Sequence, residues 1–210
     1  MNRNEFLKVG VFMAGAKLFS GLLSEPEPEK HEVFIPIVQG GCNQDFVKLA
    51  EYTVPSPAGF ASGFVFAEFG KYRKFIIECT SKVYSEISWM PAIRINENDD
   101  NVYNQYADIL FSEKKIAENT VCDRIALPAT VYLDQESVPY WFRFEIDNTT
   151  GFYHPYSVRG IMPISNHGLA QFGISGIFGC EDEIVRFDLF SNYPTGLFGC
   201  NTAVSLYGIK

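Results

Sequence analysis

The 210-residue chain carries little charge, with 20% Asp, Glu, Lys and Arg, few methionines (4), 2 tryptophans and 3 histidines. Its 17 basic residues are outnumbered by 25 acidic ones, so the formal net charge is -8. A basic footprint able to track successive phosphates is missing, which argues against nucleic acid as a partner and against an anionic lipid surface. The cysteines, Cys42, Cys79, Cys122, Cys180 and Cys200, include no C-x-x-C pair, and His31, His154 and His167 are scattered. Zinc-ribbon and dithiol patterns are therefore excluded, and no metal or cofactor is expected. The apolar stretch from Phe6 to Leu23 is interrupted by Lys8 and Lys17, short of the roughly 20 apolar residues that a membrane helix needs. A P-loop ending and a G-x-S-x-G elbow are both lacking, as is any other nucleophile, carboxylate-pair or phosphate-cradle signature, so no enzyme is expected.

Aromatic residues are abundant, with 19 Phe and 11 Tyr. They suit pleated, half-buried strands better than helix bundles. From His31 onward short apolar runs recur every 8 to 16 residues or so, separated by Gly, Pro, Asn and Asp clusters. The runs begin with Val33 to Val38 and continue at Gly63 to Phe69, Lys74 to Cys79, Ala92 to Asn96, Gln105 to Phe111 and Asp123 to Leu127. They resume at Tyr140 to Asp147, Ser157 to Pro163, Gln171 to Ile177, Ile184 to Phe190 and Ala203 to Ile209. Phe142-Arg143-Phe144-Glu145-Ile146-Asp147 and Val185-Arg186-Phe187-Asp188-Leu189 alternate strictly, so each buries one face. The spacing predicts an all-β fold, an antiparallel jelly-roll-like β-sandwich over residues 31-210, preceded by a short N-terminal helix.

Residues 1-24 hold good helix formers mixed with small residues, and 25-30 read Glu-Pro-Glu-Pro-Glu-Lys, an extended and solvated linker. Two readings of residues 1-24 stand side by side. One is a helical anchor that docks on copies of itself or on a larger assembly through Phe6, Leu7, Phe12, Phe19 and Leu22. The other is a degenerate twin-arginine-like export signal, because Arg3-Asn4-Glu5-Phe6-Leu7-Lys8 follows that pattern with Asn4 in place of the second arginine.

Several loops invite a chemical reading. Asn96 to Asn101 is either a polar hairpin loop or a set of oxygen ligands for calcium. Asn148-Thr149-Thr150 matches a glycosylation sequon. Cys180 and Cys200 sit in repeated Phe-Gly-Cys triplets and are either free buried thiols or a disulfide formed in an oxidising compartment. Gly173 to Gly179 and Gly196 to Gly199 read as turns and strand starts. The segment Gly151 to Tyr156 is dense in aromatics for a loop; Tyr153, His154 and Tyr156, with Trp89, form the candidate exposed binding patch, suited to stacking on sugar faces.

The order of motifs across residues 31-210 resembles a β-sandwich module of tailed-bacteriophage virion proteins. The resemblance rests on Val158-Arg159-Gly160-Ile161, on Ile184 to Phe190 and above all on the closing Leu206-Tyr207-Gly208-Ile209-Lys210. Upstream, Pro91 to Asn96 with Asp99, Asp100 and Tyr103 matches the module's arginine- and asparagine-containing segment. Cys200-Asn201 stands where the module has Gly-Ser or Gly-Thr. The resemblance implies a head-fibre, decoration or tail-associated protein that forms a homo-oligomer, with a trimer as the first expectation. Its implied partners are other virion proteins and a host surface glycan, and its implied location is the virion. The export reading implies instead a carbohydrate-binding protein in the periplasm or on the cell surface.

Overall fold

Strict alternation does what pleating requires. In the computed structural model, Phe142, Phe144 and Ile146 are fully buried while Arg143, Glu145 and Asp147 between them face outward. The structure describes residues 32–34, 46–55, 61–84, 90–100, 102–111, 114–129, 139–149, 151–164, 168–192 and 197–210. All of them belong to the unit His31–Lys210. The anchor residues Phe6, Leu7, Phe12, Phe19 and Leu22, the Glu-Pro linker, the expected N-terminal helix and Trp89 lie outside the described residues.

The strands, in chain order, are β1 (Glu32–Phe34), β2 (Phe46–Thr53), β3 (Gly63–Ala67), β4 (Lys74–Tyr84), β5 (Pro91–Ile95), β6 (Tyr103–Phe111) and β7 (Lys114–Cys122). They continue with β8 (Ile125–Ala126), β9 (Pro139–Asp147), β10 (Tyr153–Ile164), β11 (Gly168–Gly179), β12 (Arg186–Ser191), β13 (Leu197–Phe198) and β14 (Ala203–Ile209). A five-stranded sheet has the order β1-β3-β12-β5-β8, and a nine-stranded sheet the order β2-β14-β4-β9-β10-β11-β6-β7, with β13 pairing β4 off that path. Apart from the parallel β1–β3 pair, the pairings are antiparallel.

This is a jelly-roll arrangement with an insertion. If β3 is counted first, the chain passes between the sheets so that the first, eighth, third and sixth strands (β3, β12, β5, β8) make one layer. The second, seventh, fourth and fifth (β4, β9, β6, β7) make the other. The long β10–β11 hairpin is wedged into that second layer between β9 and β6, and β14 and β2 extend it past β4. Phe187 of β12 ties the layers together, packing against Phe75 of β4 at 5.4 Å and Phe144 of β9 at 5.9 Å between ring centroids. Each such fully buried ring contributes about 2–3 kcal/mol of burial free energy. The aromatic excess is therefore largely the sandwich interior.

Three strands lacked a sequence signal. In β2 the consecutive Leu49 and Ala50 are both buried, because a register irregularity opposite them, between Leu206 and Tyr207, breaks the alternation. An edge strand, β7 reads Lys-Lys-Ile-Ala-Glu-Asn-Thr-Val-Cys, a sequence without sustained apolar alternation. Only two residues long, β13 is too short to carry a pattern. The strand run expected from Gln171 to Ile177 is part of β11, and Gly173 to Gly179, read as turns and strand starts, lies inside that strand. The segment from Asn96, expected as a hairpin loop, instead carries the chain from β5 in one sheet to β6 in the other. Asn96 and Glu97 both have positive φ, 52° and 56°, and Asn98 N donates to Ile95 O at 2.9 Å, which is a tight turn of mirror-image hand. Asn96 Oδ1 accepts from Val185 N and Arg186 N, so its side chain fastens the neighbouring loop rather than standing ready for an ion.

Candidate functional site

The expected patch divides on the two faces of β10. That strand begins at Tyr153, four residues before the expected start at Ser157, so residues 153–156 are already pleated. Tyr153 is 63% exposed, beside Phe152 with ring centroids 6.3 Å apart, whereas His154 is 3% and Tyr156 4% exposed. His154 and Tyr156 thus leave the surface patch, because they share the inward phase with the fully enclosed Val158. Tyr156 Oη donates to Asn104 O at 3.3 Å across β11, and burial pushes its hydroxyl well above the usual tyrosine range. A carbonyl oxygen, that of Asp147, lies 3.2 Å from His154 Nδ1, so Nδ1 carries the proton. His154 Nε2 is buried without a partner among the described residues.

Glycines on the inward face make room for these rings. A Cβ on Gly176 would sit 2.5 Å from Tyr156 Cζ and still closer to Asn104 O; one on Gly160 would run into Phe172. In the register Tyr156 faces Gly176 and Phe172 faces Gly160, so each aromatic lies over the glycine across from it. The outward face differs. A Cβ on Gly173 would meet nothing within 4 Å.

That opening is the floor of a groove of about 560 Å³ on the outer face of the nine-stranded sheet. One row of the register runs Trp141, Ile161, Gln171, Leu110, and the adjacent row runs Arg143, Arg159, Gly173, Asp108. Arg159 and Asp108 therefore flank Gly173 from the two neighbouring strands, their backbones about 10 Å apart. Gln171, two residues before Gly173 along β11, lines it lengthwise. Arg159 is 73% exposed and only 3.9 Å from Glu145 Oε1, a loose ion pair. Trp141 and Ile161 are half-buried and Leu110 exposed.

A second cleft, about 600 Å³, opens between the end of β9 and the loop before β12. Its polar groups hold one another. Arg73 Nε donates to Lys210 O at 2.6 Å, Lys71 pairs with Glu183 at 3.2 Å, and Asn148 Nδ2 donates to Tyr72 O at 3.1 Å. The sequon asparagine is thus engaged by the fold. Asp147 Oδ1 accepts from Thr149 N and Oγ1, and those bonds hold its carboxyl below the usual range.

Cys79, Cys122 and Cys180 are free thiols, so Cys180 and Cys200 are not bridged to each other. Burial raises the Cys79 thiol far above its ordinary value and keeps it protonated. Among the described residues no group of three His, Cys, Asp or Glu converges as metal ligands, and no helix is long and apolar enough to cross a membrane. Compared with models of known protein families and with curated proteins, the chain matches none.

Trp141, Asp108, Gln171 and Gly173 carried no sign of a binding role in the sequence. One signal was present: between the inward Tyr140 and Phe142, Trp141 falls on the outward phase, where a tryptophan must find another use. The alignment of four strands into one groove was not readable.

Proposed function

We propose that this chain is a structural bacteriophage virion protein, a head-fibre, decoration or tail-associated component. Residues 1-24 anchor it through Phe6, Leu7, Phe12, Phe19 and Leu22, and the sandwich projects to meet neighbouring subunits or the host surface. The observation that carries this reading is the jelly-roll strand order, an architecture that capsid and lectin domains share. The motif series ending in Leu206-Tyr207-Gly208-Ile209-Lys210 adds to it. The role proposed is binding, at a groove whose described lining includes Trp141, Gln171, Arg159 and Asp108. Assembly is as a homo-oligomer, with a trimer as the working stoichiometry. Mass spectrometry of purified phage particles tests the assignment: abundant peptides from this chain are expected, and their absence overturns it. Deleting residues 1-30 should abolish incorporation, and wild-type incorporation of that deletion refutes the anchor.

The rival is an exported carbohydrate-binding protein, favoured by the placement of Trp141 at the outer groove. N-terminal sequencing separates the two. A start at Met1 or Asn2 supports the virion protein, and a start near Lys17 or Ser24 supports export.

A further inference from the structure

We infer that the groove floored by Gly173 is a binding site for one neutral pyranose unit of a surface glycan. The inference deepens the surface-contact reading and rests on it for its biological setting, while the chemistry stands on the groove itself.

A pyranose presents an apolar C–H face and a rim of hydroxyls, so its site needs a flat apolar wall beside donors and acceptors of both kinds. Trp141, Ile161 and Leu110 supply the apolar wall. Arg159 brings donors only, Asp108 acceptors only, and Gln171 both. One cation and one anion on opposite sides of the floor cancel, which disfavours a phosphate or a second cation as occupant and suits an uncharged ring with several hydroxyls. The surroundings match. Strand β11, Gly168–Gly179, contains no charged residue, and on the adjoining strands Arg159 and Asp108 are the only Asp, Glu, Lys or Arg. Between them Gly173 leaves open the volume that any other residue would fill.

The floor also supplies the decisive variant. Gly173→Val places its side chain in open space, on a strand where β-branched residues are favoured, so the fold should be retained and its Tm unchanged or raised. The full-length chain is titrated with neutral oligosaccharides of glucose, galactose, mannose and N-acetylglucosamine, followed by calorimetry and by saturation-transfer NMR. At least one should bind the wild type with Kd in about the millimolar range or tighter. Gly173→Val, Trp141→Ala and Arg159→Ala should each weaken that binding about tenfold or more.

The proposal is overturned if none of these sugars binds at about 10 mM, or if Gly173→Val binds as tightly as the wild type. It is equally overturned if glucose 6-phosphate binds and the neutral sugars do not, or if the groove is covered by a second copy in a dimer that Gly173→Val dissociates. Failure here is distinct from failure of the virion assignment. A chain that is abundant in particles yet binds no sugar loses this site and keeps its place in the virion; a chain absent from particles yet bound by sugar does the reverse.

Discussion

The outer face of the nine-stranded sheet has two halves built on opposite principles. Across β4 and β9 the outward positions include Lys74, Glu78, Arg143 and Glu145, and these four interlock. Arg143 Nε reaches Glu145 at 2.7 Å and its Nη1 reaches Glu78 at 2.9 Å, while Lys74 pairs with the other oxygen of Glu145. Burial pushes the Glu145 carboxyl up, but the hydrogen bonds from Lys74 and Arg143 outweigh it and hold the group below the usual range. Across β10, β11 and β6 the outward residues apart from Arg159 and Asp108 are uncharged, with Ser157, Ser175, Gly173 and Gln171 beside the exposed Tyr106, Leu110, Leu169 and Ile177. One half satisfies its own charges and has little left for a ligand. The other leaves a hole and apolar edges uncovered, which is how a binding face differs from a solvated one.

The sharpest way to break this comparison is from beneath the neutral half. Gly176→Ala should cost about 3 kcal/mol, because its Cβ collides with the Asn104 carbonyl and the Tyr156 ring and cannot be absorbed by a flexible side-chain end. Chemical denaturation measures it, and a loss within error of zero would show that the inward glycines do not set the hairpin's packing.

Charge removal in the other half ranks next. Glu145→Gln should cost about 1 kcal/mol at neutral pH, since Arg143 and Lys74 are partly exposed and rehydrate. Its pH dependence has a definite sign. A carboxyl whose folded pKa is depressed stabilises fully above the unfolded value and loses that contribution as pH falls through the folded one. Wild-type stability should therefore fall more steeply than that of Glu145→Gln between about pH 5 and pH 3. Parallel acid-titration curves from the two proteins would refute the network.

Smaller still is the effect of filling the groove. Gly173→Val should raise stability by about 0.5 to 1 kcal/mol, the gain from replacing a strand glycine where there is space. The contrast between Gly173 and Gly176, three residues apart on one strand, sharpens the two-face argument without touching a charge. Least of all, Arg159→Ala should change the unfolding free energy by less than about 0.5 kcal/mol, because a long exposed pair contributes little. A large loss would move Arg159 from the groove to the ion-pair network.

Much of the architecture was legible beforehand because it depends on local periodicity. Ala203–Ile209 and Pro139–Asp147 read cleanly as strands, since every second residue chooses a phase. Asn201, in the turn before β14, takes φ 64°, and asparagine tolerates that left-handed conformation. The site was less legible. Tyr153, His154 and Tyr156 looked like one aromatic loop because the strand was expected to start at Ser157; extending it to Tyr153 turns His154 and Tyr156 into the core.

By itself, then, the sequence decided that the chain is all-β, acidic, rich in aromatic core and poor in charge on residues 168–179, since composition and alternation act within a few residues. Only the tertiary structure decided that Trp141, Ile161, Gln171 and Leu110 share a row, and that Gly173 lies between Arg159 and Asp108. Register between strands distant in sequence is set by global packing of both sheets, and a slip of one residue would turn every one of those side chains to the other face.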